Sequence, residues 1–453
     1  MAGLKAGIDF GTSNSGVAIY DGKKIFMLPI DRSNITPEVI KSVIYITRDY
    51  RQYIGQEAIN TYYRDNVDRP RRFVRKRIGE IEYVASEMYY VRDVFMEIDE
   101  LNPGRLIQYI KTGLRSEGYE GTRVFDKFFS LKEIIKLYLR NLKVRSESIL
   151  NEEIHSITLG RPVRFFDDRS LDKSSEDILR QAGHEAGFKD VCLELEPIAA
   201  ALFYETTLDK PQNALIFDFG GGTLDITILR LGDPKKRDVF ATGGIGIAGS
   251  DFDRMIIQKR MLEHFGKGKF RDDPHIENLI EALADWQVIP QLGTPQVRTM
   301  LHSVMKKSKY PVRLKALETI IYNDLAFSFY NKVEAAKIEL SSQGVSLVKI
   351  EEKDLNIWEL LTRYQFERDI AEYHTRIEKC LLDTIIESGL DPEEIDVAIK
   401  TGGSSNIPYF TGMLESIFGP ERVKASNTFS SVTAGLAIRA YEGDTRYRDS
   451  HTS

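Results

Sequence analysis

Alternation of apolar and polar positions at period two predicts strands at Lys5–Asp9, twice within Gly16–Leu28, and at Ser42–Thr47, Ile154–Leu159 and Val191–Leu195. Further strands are expected at Ala214–Asp218, Asp225–Leu231, Asp238–Ala241 and Val345–Ile350, and a buried one at Ile395–Lys400. Asp21-Gly22 between two alternating runs predicts a tight hairpin. Helical spacing marks Leu131–Leu142, Ser174–Ala186 with a stop near Gly187, and Pro197–Tyr204 with proline at its start. It also marks a helix capped by Asp251 and running to about Phe265, and one long helix whose stripe is Leu317, Ile321 and Leu325 and which continues through Glu334–Ser341. Further helices are expected around Ile370, Ile377, Leu381 and Ile385, at Pro408–Phe418 and at Ser431–Tyr441. Residues 80–128 and 266–316 have mixed signals and read as peripheral elaborations, and 442–453 as a polar tail.

Strands alternating with helices make this an α/β chain. Within it one short unit occurs twice. Gly-Ile-Asp-Phe-Gly-Thr-Ser-Asn-Ser at Gly7–Ser15 is echoed by Phe-Asp-Phe-Gly-Gly-Gly-Thr-Leu-Asp at Phe217–Asp225. Asp9 matches Asp218, Gly11 matches Gly220, Val17 matches Ile226 and Ile19 matches Ile228, each pair 209 residues apart. Self-similarity at about half the chain length points to two related lobes. In each unit a buried strand brings an aspartate to the end of a sheet. A turn of Gly and hydroxyl residues then lets backbone N–H groups converge. That pairing of donors and carboxylate suits a phosphate chain and its Mg²⁺.

The 453 residues suffice for two to four domains or subdomains. Hydrophobic residues at 42% and charged residues at 29% are ordinary for a globular protein, and a net charge of −6 disfavours a general nucleic-acid binder. Cys192 and Cys380 are the only cysteines, which excludes a disulfide scaffold and a thiolate zinc site. Asp9 interrupts any signal-peptide core, and no uncharged run reaches membrane-spanning length. The expectation is a cytoplasmic protein with no membrane partner.

Five stretches, in order, carry a resemblance. They are Gly7–Ser15, Leu195–Leu202 (Leu-Glu-Pro-Ile-Ala-Ala-Ala-Leu), Phe217–Ile228, Val333–Ser342 (Val-Glu-Ala-Ala-Lys-Ile-Glu-Leu-Ser-Ser) and Thr401–Pro408 (Thr-Gly-Gly-Ser-Ser-Asn-Ile-Pro). Gly249–Asp253 is a weaker sixth. Together they resemble the ATPase domain of the heat-shock protein 70 chaperones, within the actin, sugar-kinase and heat-shock superfamily. The resemblance implies a two-lobed actin-like fold, a duplicated ribonuclease H-like motif with mixed five-stranded sheets flanked by helices. Lobe I would span 1–212 with a peripheral subdomain at about 40–129, and lobe II 213–426 with one at about 254–372. A C-terminal helix within 427–453 would return to lobe I. The resemblance also implies ATP or ADP with Mg²⁺ as ligands, slow ATP hydrolysis, client proteins or cochaperones as partners, and a monomer.

Carried over by motif, Gly11, Thr12 and Ser13 would hold phosphates from lobe I, and Gly220, Gly221, Gly222 and Thr223 from lobe II, with Thr223 also counted among the catalytic groups. Asp9 and Asp218 would hold hydrated Mg²⁺. Glu196 and Asp225 would orient and deprotonate the attacking water. Glu334, Lys337 and Ser341, at i, i+3 and i+7, share a helix face that the family turns toward ribose and adenine. Gly402, Gly403 and Ser404 would pass along the base and the α-phosphate. Three positions depart from the pattern. Where the family has its catalytic lysine, counting back from Gly79 gives Arg75, with Lys76 next, so either Arg75 fills the role or the register shifts to Lys76. Ser250 replaces a glutamate and Asn406 an adenine-stacking arginine. The family continues beyond the position of Tyr441 into a peptide-binding domain, so the resemblance is to the short, YegD-like branch. A small-molecule kinase and an actin-like filament protein of the same superfold are the alternative readings.

Overall fold

The computed structural model describes residues 3–66, 69–85, 88–233, 237–286, 288–323, 325–426, 430–443 and 448–449. Most of the polar tail from 444 onward lies outside the described residues. The chain forms two compact units. The first contains residues 1–62, 105–252 and 370–453; the second contains 63–104 and 253–369.

The first unit holds two mixed sheets with the same strand path. One runs Asp190–Leu195, Ile154–Arg161, Leu4–Phe10, Asn14–Tyr20, Ile25–Met27, with the short strand Ile40–Lys41 attached to Asn14–Tyr20. The other runs Val423–Ala425, Val397–Thr401, Gln212–Phe219, Leu224–Leu231, Asp238–Ile245, with Arg448–Asp449 added at its edge. In both, the first three strands are parallel and the hairpin that follows is antiparallel. The register repeats too: Asp9 pairs with Gly16 in one hairpin, and Asp218 pairs with Asp225 in the other. The duplication read from the sequence is therefore a duplication of topology. The hairpin at Asp21-Gly22 forms as expected, with Gly22 at φ 91° and the Asp21 carboxylate accepting the Lys23 and Lys24 N–H groups.

Local sequence sets the helices of this unit. Ser130 and Glu133 form a reciprocal capping box that starts the helix Leu131–Leu150, longer than its periodic stripe. That helix buries Ile134, Ile135, Tyr138 and Leu142 against Ile8 and Phe10 of the first sheet. The helix Glu196–Glu205 is apolar on all sides and accordingly buried on all sides, with Ala199, Ala200 and Ala201 fully enclosed. It lies on the strands Gln212–Phe219 and Leu224–Leu231 of the second sheet, while Ser431–Glu442 lies on Leu4–Phe10 and Asn14–Tyr20 of the first. The two helices pack on each other. Arg439 bonds Glu194 at 2.7 Å, and Arg237 joins Glu205 at 2.6 Å and Glu442 at 2.9 Å, so the pair is also cross-tied by buried charge.

The second unit contains the ribbon Phe73–Ala85 with Met88–Asp99, a set of short helices, and the hairpin Val345–Glu352 with Leu355–Thr362. Three expectations change. The helix predicted from Leu317 through Ser341 is two, Pro311–Tyr322 and Ala326–Ser342, because the first ends at Asn323. The helix expected from Asp251 to Phe265 begins at Gly249 and remains α-helical only to Ile256. A π turn at Ile257–Met261 and a 3₁₀ turn at Leu262–Phe265 follow. Asp251 sits inside the first turn, its carboxylate accepting the Ala248 N–H at 2.9 Å. Finally, the stretch 80–128 is not one piece. Residues up to Gly104 belong to the second unit, and from Arg105 onward to the first. Among the described residues no helix is long and apolar enough to cross a membrane.

Candidate functional site

Each hairpin of the first unit ends in a turn at the same edge of its sheet, and the two turns face each other. A side chain on Gly221 would meet the Ser13 hydroxyl at 2.9 Å, and one on Gly222 would meet the Thr12 hydroxyl. The second turn is closed by a bond from the Gly220 N–H to the Thr223 carbonyl at 3.1 Å. Its outer side is supported by the helix Gly249–Ile256, where the Gly249 and Ser250 N–H groups donate to the Gly220 and Gly221 carbonyls.

The loop after Val397–Thr401 closes on this turn. Thr401 lies in register with Asp218. Gly402 follows at φ 79°, where a Cβ would run into the Phe219 carbonyl and stand 2.8 Å from the Gly220 nitrogen, so only glycine fits. The Ser404 hydroxyl then donates to the Gly220 carbonyl at 2.7 Å. Thus Gly402, Gly403 and Ser404 are brought to the glycine turn.

The carboxylates gather at the strand ends. Asp218 and Asp225 are adjacent across the ladder and buried, and Asp225 accepts the Val163 N–H at 2.6 Å. Glu196 opens its helix immediately beyond the strand Asp190–Leu195. Burial pushes Asp9 up to about 7, with the Glu196 charge adding to the shift and Lys111 opposing it; part of the Asp9 surface is still accessible. Burial likewise pushes Asp225 up to about 7, again with Glu196 adding. Asp218 is raised well above the usual carboxylate range, first by burial and then by Glu196, Asp225 and Asp9. Mutual repulsion among these groups means that all four share one neighbourhood.

Two cations enter it that the sequence reading missed. Both come from the 3₁₀ segment Ile110–Arg115. Lys111, 5% exposed, forms an ion pair with Glu196. Arg115 donates to the Gly222 carbonyl, and its charge is felt by Asp225 and Asp251. In sequence, Tyr-Ile-Lys-Thr-Gly-Leu-Arg looks like any half-polar segment. The only signal is that each cation directly follows an apolar residue that needs burial, Ile110 or Leu114. Arg75 lies exposed on the ribbon of the second unit, with its guanidinium 4.5 Å from the centroid of the Phe95 ring, and Lys76 is exposed beside it.

Glu334, Lys337 and Ser341 share one face of Ala326–Ser342 in the second unit, as their spacing requires. Lys337 is buried and bonds Asp253 at 2.8 Å.

The donor set fits a hydrated divalent ion. Four carboxylates against two cations leave net negative charge in a buried place, and that excess adds to the burial that raises the aspartates. Among the described residues no three acidic, histidine or cysteine side chains converge as a ready cage. Mg²⁺ does not need one. It keeps several waters and takes one or two carboxylates plus phosphate oxygens.

A sheet path repeated in duplicate, with its two glycine turns face to face and aspartates at the strand ends, is the architecture of the actin-like ATPase fold. The Hsp70 protein family model matches residues 5–283 and 323–449, and the chain belongs to that family. It is 24% identical over 453 aligned residues to the chaperone protein dnaK of Cyanidioschyzon merolae, covering 96% of this chain and 61% of that protein. It is 25% identical over 447 aligned residues to the chaperone protein DnaK of Thermus thermophilus, covering 96% and 60%. The chain thus spans about three-fifths of the length of these curated relatives.

Proposed function

We propose that this chain binds ATP with Mg²⁺ and hydrolyses it slowly, acting as a chaperone-type nucleotide switch. The observation that carries this reading is the facing pair of turns with buried aspartates behind them. Converging N–H groups and small hydroxyls have no role in stability that would call for two copies, whereas a triphosphate needs donors on both sides. Gly11, Thr12 and Ser13 would hold it from one turn, and Gly220, Gly221, Gly222 and Thr223 from the other. Asp9 and Asp218 would hold Mg²⁺ through its waters, and when bound the ion neutralises charge on the phosphates. Glu196 and Asp225 would align a water with the γ-phosphorus and take its proton. Phosphoryl transfer asks mainly for such positioning and neutralisation. Adenosine recognition falls to the Glu334, Lys337 and Ser341 face and to Gly402, Gly403 and Ser404. DnaK is named a chaperone in the relatives, and by that likeness client proteins and cochaperones in the cytoplasm are the partners we propose.

Calorimetric titration of the purified chain with ATP and Mg²⁺, followed by single-turnover hydrolysis, tests the reading. Saturable binding and slow release of phosphate are expected, with Asp9→Asn raising the Mg²⁺ concentration needed and lowering turnover. Absence of binding at millimolar ATP would end it.

A further inference from the structure

Residues 286–317 carry six Lys or Arg and no Asp or Glu, in a chain whose 68 acidic residues outnumber its 62 Lys and Arg. The run belongs to the second unit and falls in the interval between the two stretches that match the family. We propose that the exposed cations of this insertion, joined by those of the loop 266–271, form a docking surface for a short acidic segment of a partner protein. The proposal stands independently of the nucleotide reading.

The insertion contains a helical hairpin, Pro295–Met305 with Pro311–Tyr322. Leu301, Leu314, Leu317 and Ile320 are fully buried in it. Glu318, 2% exposed, draws in Arg298, His302 and Lys315, each at 2.9 Å. A buried carboxylate needs such partners, so these three side chains serve the fold. The turn between the helices is pinned to the loop 266–271. The Arg313 guanidinium donates to the Glu263 carbonyl just before that loop, and the Phe270 and Tyr310 rings meet edge to face at 6.2 Å. Two basic stretches distant in sequence are thereby held side by side.

The fold leaves the other cations unused. Lys306, Lys307 and Lys309 in the turn, with Lys269 and Arg271 in the loop, are all exposed, and none has an ion-pair partner among the described residues. The Lys269 ammonium lies 5.9 Å from the centroid of the Tyr310 ring. Most neighbouring acids are engaged elsewhere. Glu277 accepts the Gly268 and Phe270 N–H groups, Asp273 caps the helix Pro274–Glu281, and Glu281 faces Lys267 at 3.7 Å. Asp272, exposed next to Arg271, offsets one charge of the five. Helix-end electrostatics account for Lys306 and Lys307, which follow the carbonyl end of Pro295–Met305, but not for the other three. A surface that serves solubility alone intersperses both signs, and here one sign is missing from the whole run. Amid these charges Val312 is 77% exposed and Tyr310 39%, an apolar step that one side chain of a partner can cover. The chemistry favours carboxylates as the counterpart. All but one of the five cations are lysines, point charges rather than the guanidinium forks that suit phosphate. A bilayer or a nucleic-acid strand is extended and would also confront the rest of a chain of net charge −6, which repels it. A short run of Glu and Asp touches the patch alone.

The test uses the full chain and a fluorescein-labelled peptide of about twelve Glu and Asp residues with one central Phe, read by anisotropy. Saturable binding is expected, weakening about tenfold between roughly 50 and 300 mM salt. Lys306→Gln, Lys307→Gln and Lys309→Gln together are expected to weaken it about tenfold, and Val312→Ser about threefold. Lys5→Gln, Lys23→Gln and Lys24→Gln together remove the same charge from exposed sites of the first unit and are expected to leave binding within about twofold of wild type. Every replaced side chain is exposed, so urea midpoints should stay at the wild-type value and a loss of binding is not a loss of fold. Equal losses in the two triple variants would overturn the proposal, as would equal binding of a peptide with Gln and Asn in place of its acids, or no binding at millimolar peptide. Tighter binding of oligouridine or of phosphatidylserine vesicles than of the peptide would overturn the choice of a polypeptide partner. None of these outcomes bears on ATP binding, which is titrated separately.

Discussion

At equivalent points of the two sheets stand Gly16, opposite Asp9, and Asp225, opposite Asp218. Everything around them is repeated: strand order, direction, register and the glycine turn beyond. The difference has a packing cause on one side. A side chain at Gly16 would meet the Thr433 hydroxyl at 2.8 Å, because the helix Ser431–Glu442 lies flat on that hairpin. On the other side Asp225 is admitted because the Val163 N–H is there to receive it. Repetition builds two facing turns, and departure from repetition gives one side a second buried carboxylate. The comparison teaches that the catalytic candidates are to be sought where the halves disagree.

The sharpest way to break the comparison is Asp225→Asn. The variant keeps an oxygen for the Val163 N–H and loses the charge. Single-turnover hydrolysis is expected to fall about 100-fold or more; a loss under threefold would mean that the asymmetry carries no chemistry.

The same variant sharpens it through pH. The folded protein holds the Asp225 proton to about 7, against an ordinary value of 3.8. Protonation is thus favoured by folding, and the penalty is absent below about 4, grows as pH rises, and is complete above 7. One pKa unit corresponds to about 1.4 kcal/mol, and with relaxation and shared charge the buried carboxylate would cost on the order of 2 kcal/mol at pH 8. In nucleotide-free protein with chelator present, Asp225→Asn is expected to be more stable than wild type at pH 8 and indistinguishable from it at pH 4, as read by urea midpoints. An equal difference at both values would contradict the raised pKa.

On the other half, Gly16→Ala forces a methyl group against Thr433. Overpacking of this kind destabilises by about 1–3 kcal/mol, and a wild-type urea midpoint would show that the helix does not press on the hairpin. The smallest effect expected is that of Ser404→Ala. It removes one bond to the Gly220 carbonyl, about 1 kcal/mol, and should loosen ATP binding only a few-fold by titration.

Much of this was legible along the chain. Period-two alternation and glycine in the turns established the strands and hairpins, because each depends on residues within ten positions of one another, and the Asp-Phe-Gly repeated 209 residues on established the duplication. Asp9 and Asp218 were legible as carboxylates at the ends of apolar strands, whereas Glu196 and Asp225 were singled out by the family resemblance. The break between Pro311–Tyr322 and Ala326–Ser342 was masked by an apolar stripe that continues across it, although the first helix ends on Asn323, a residue that favours helix ends.

What the sequence by itself determined is therefore local: which segments pair, where a carboxylate ends a strand, and that the pattern occurs twice. Tertiary structure alone decided which cation answers those carboxylates. Lys111 and Glu196 lie 85 residues apart, and Arg115 and Gly222 lie 107 apart. A lysine destined for burial is spelled no differently from one left in water; its partner, and with it its charge environment, exists only once the sheets have brought distant turns together.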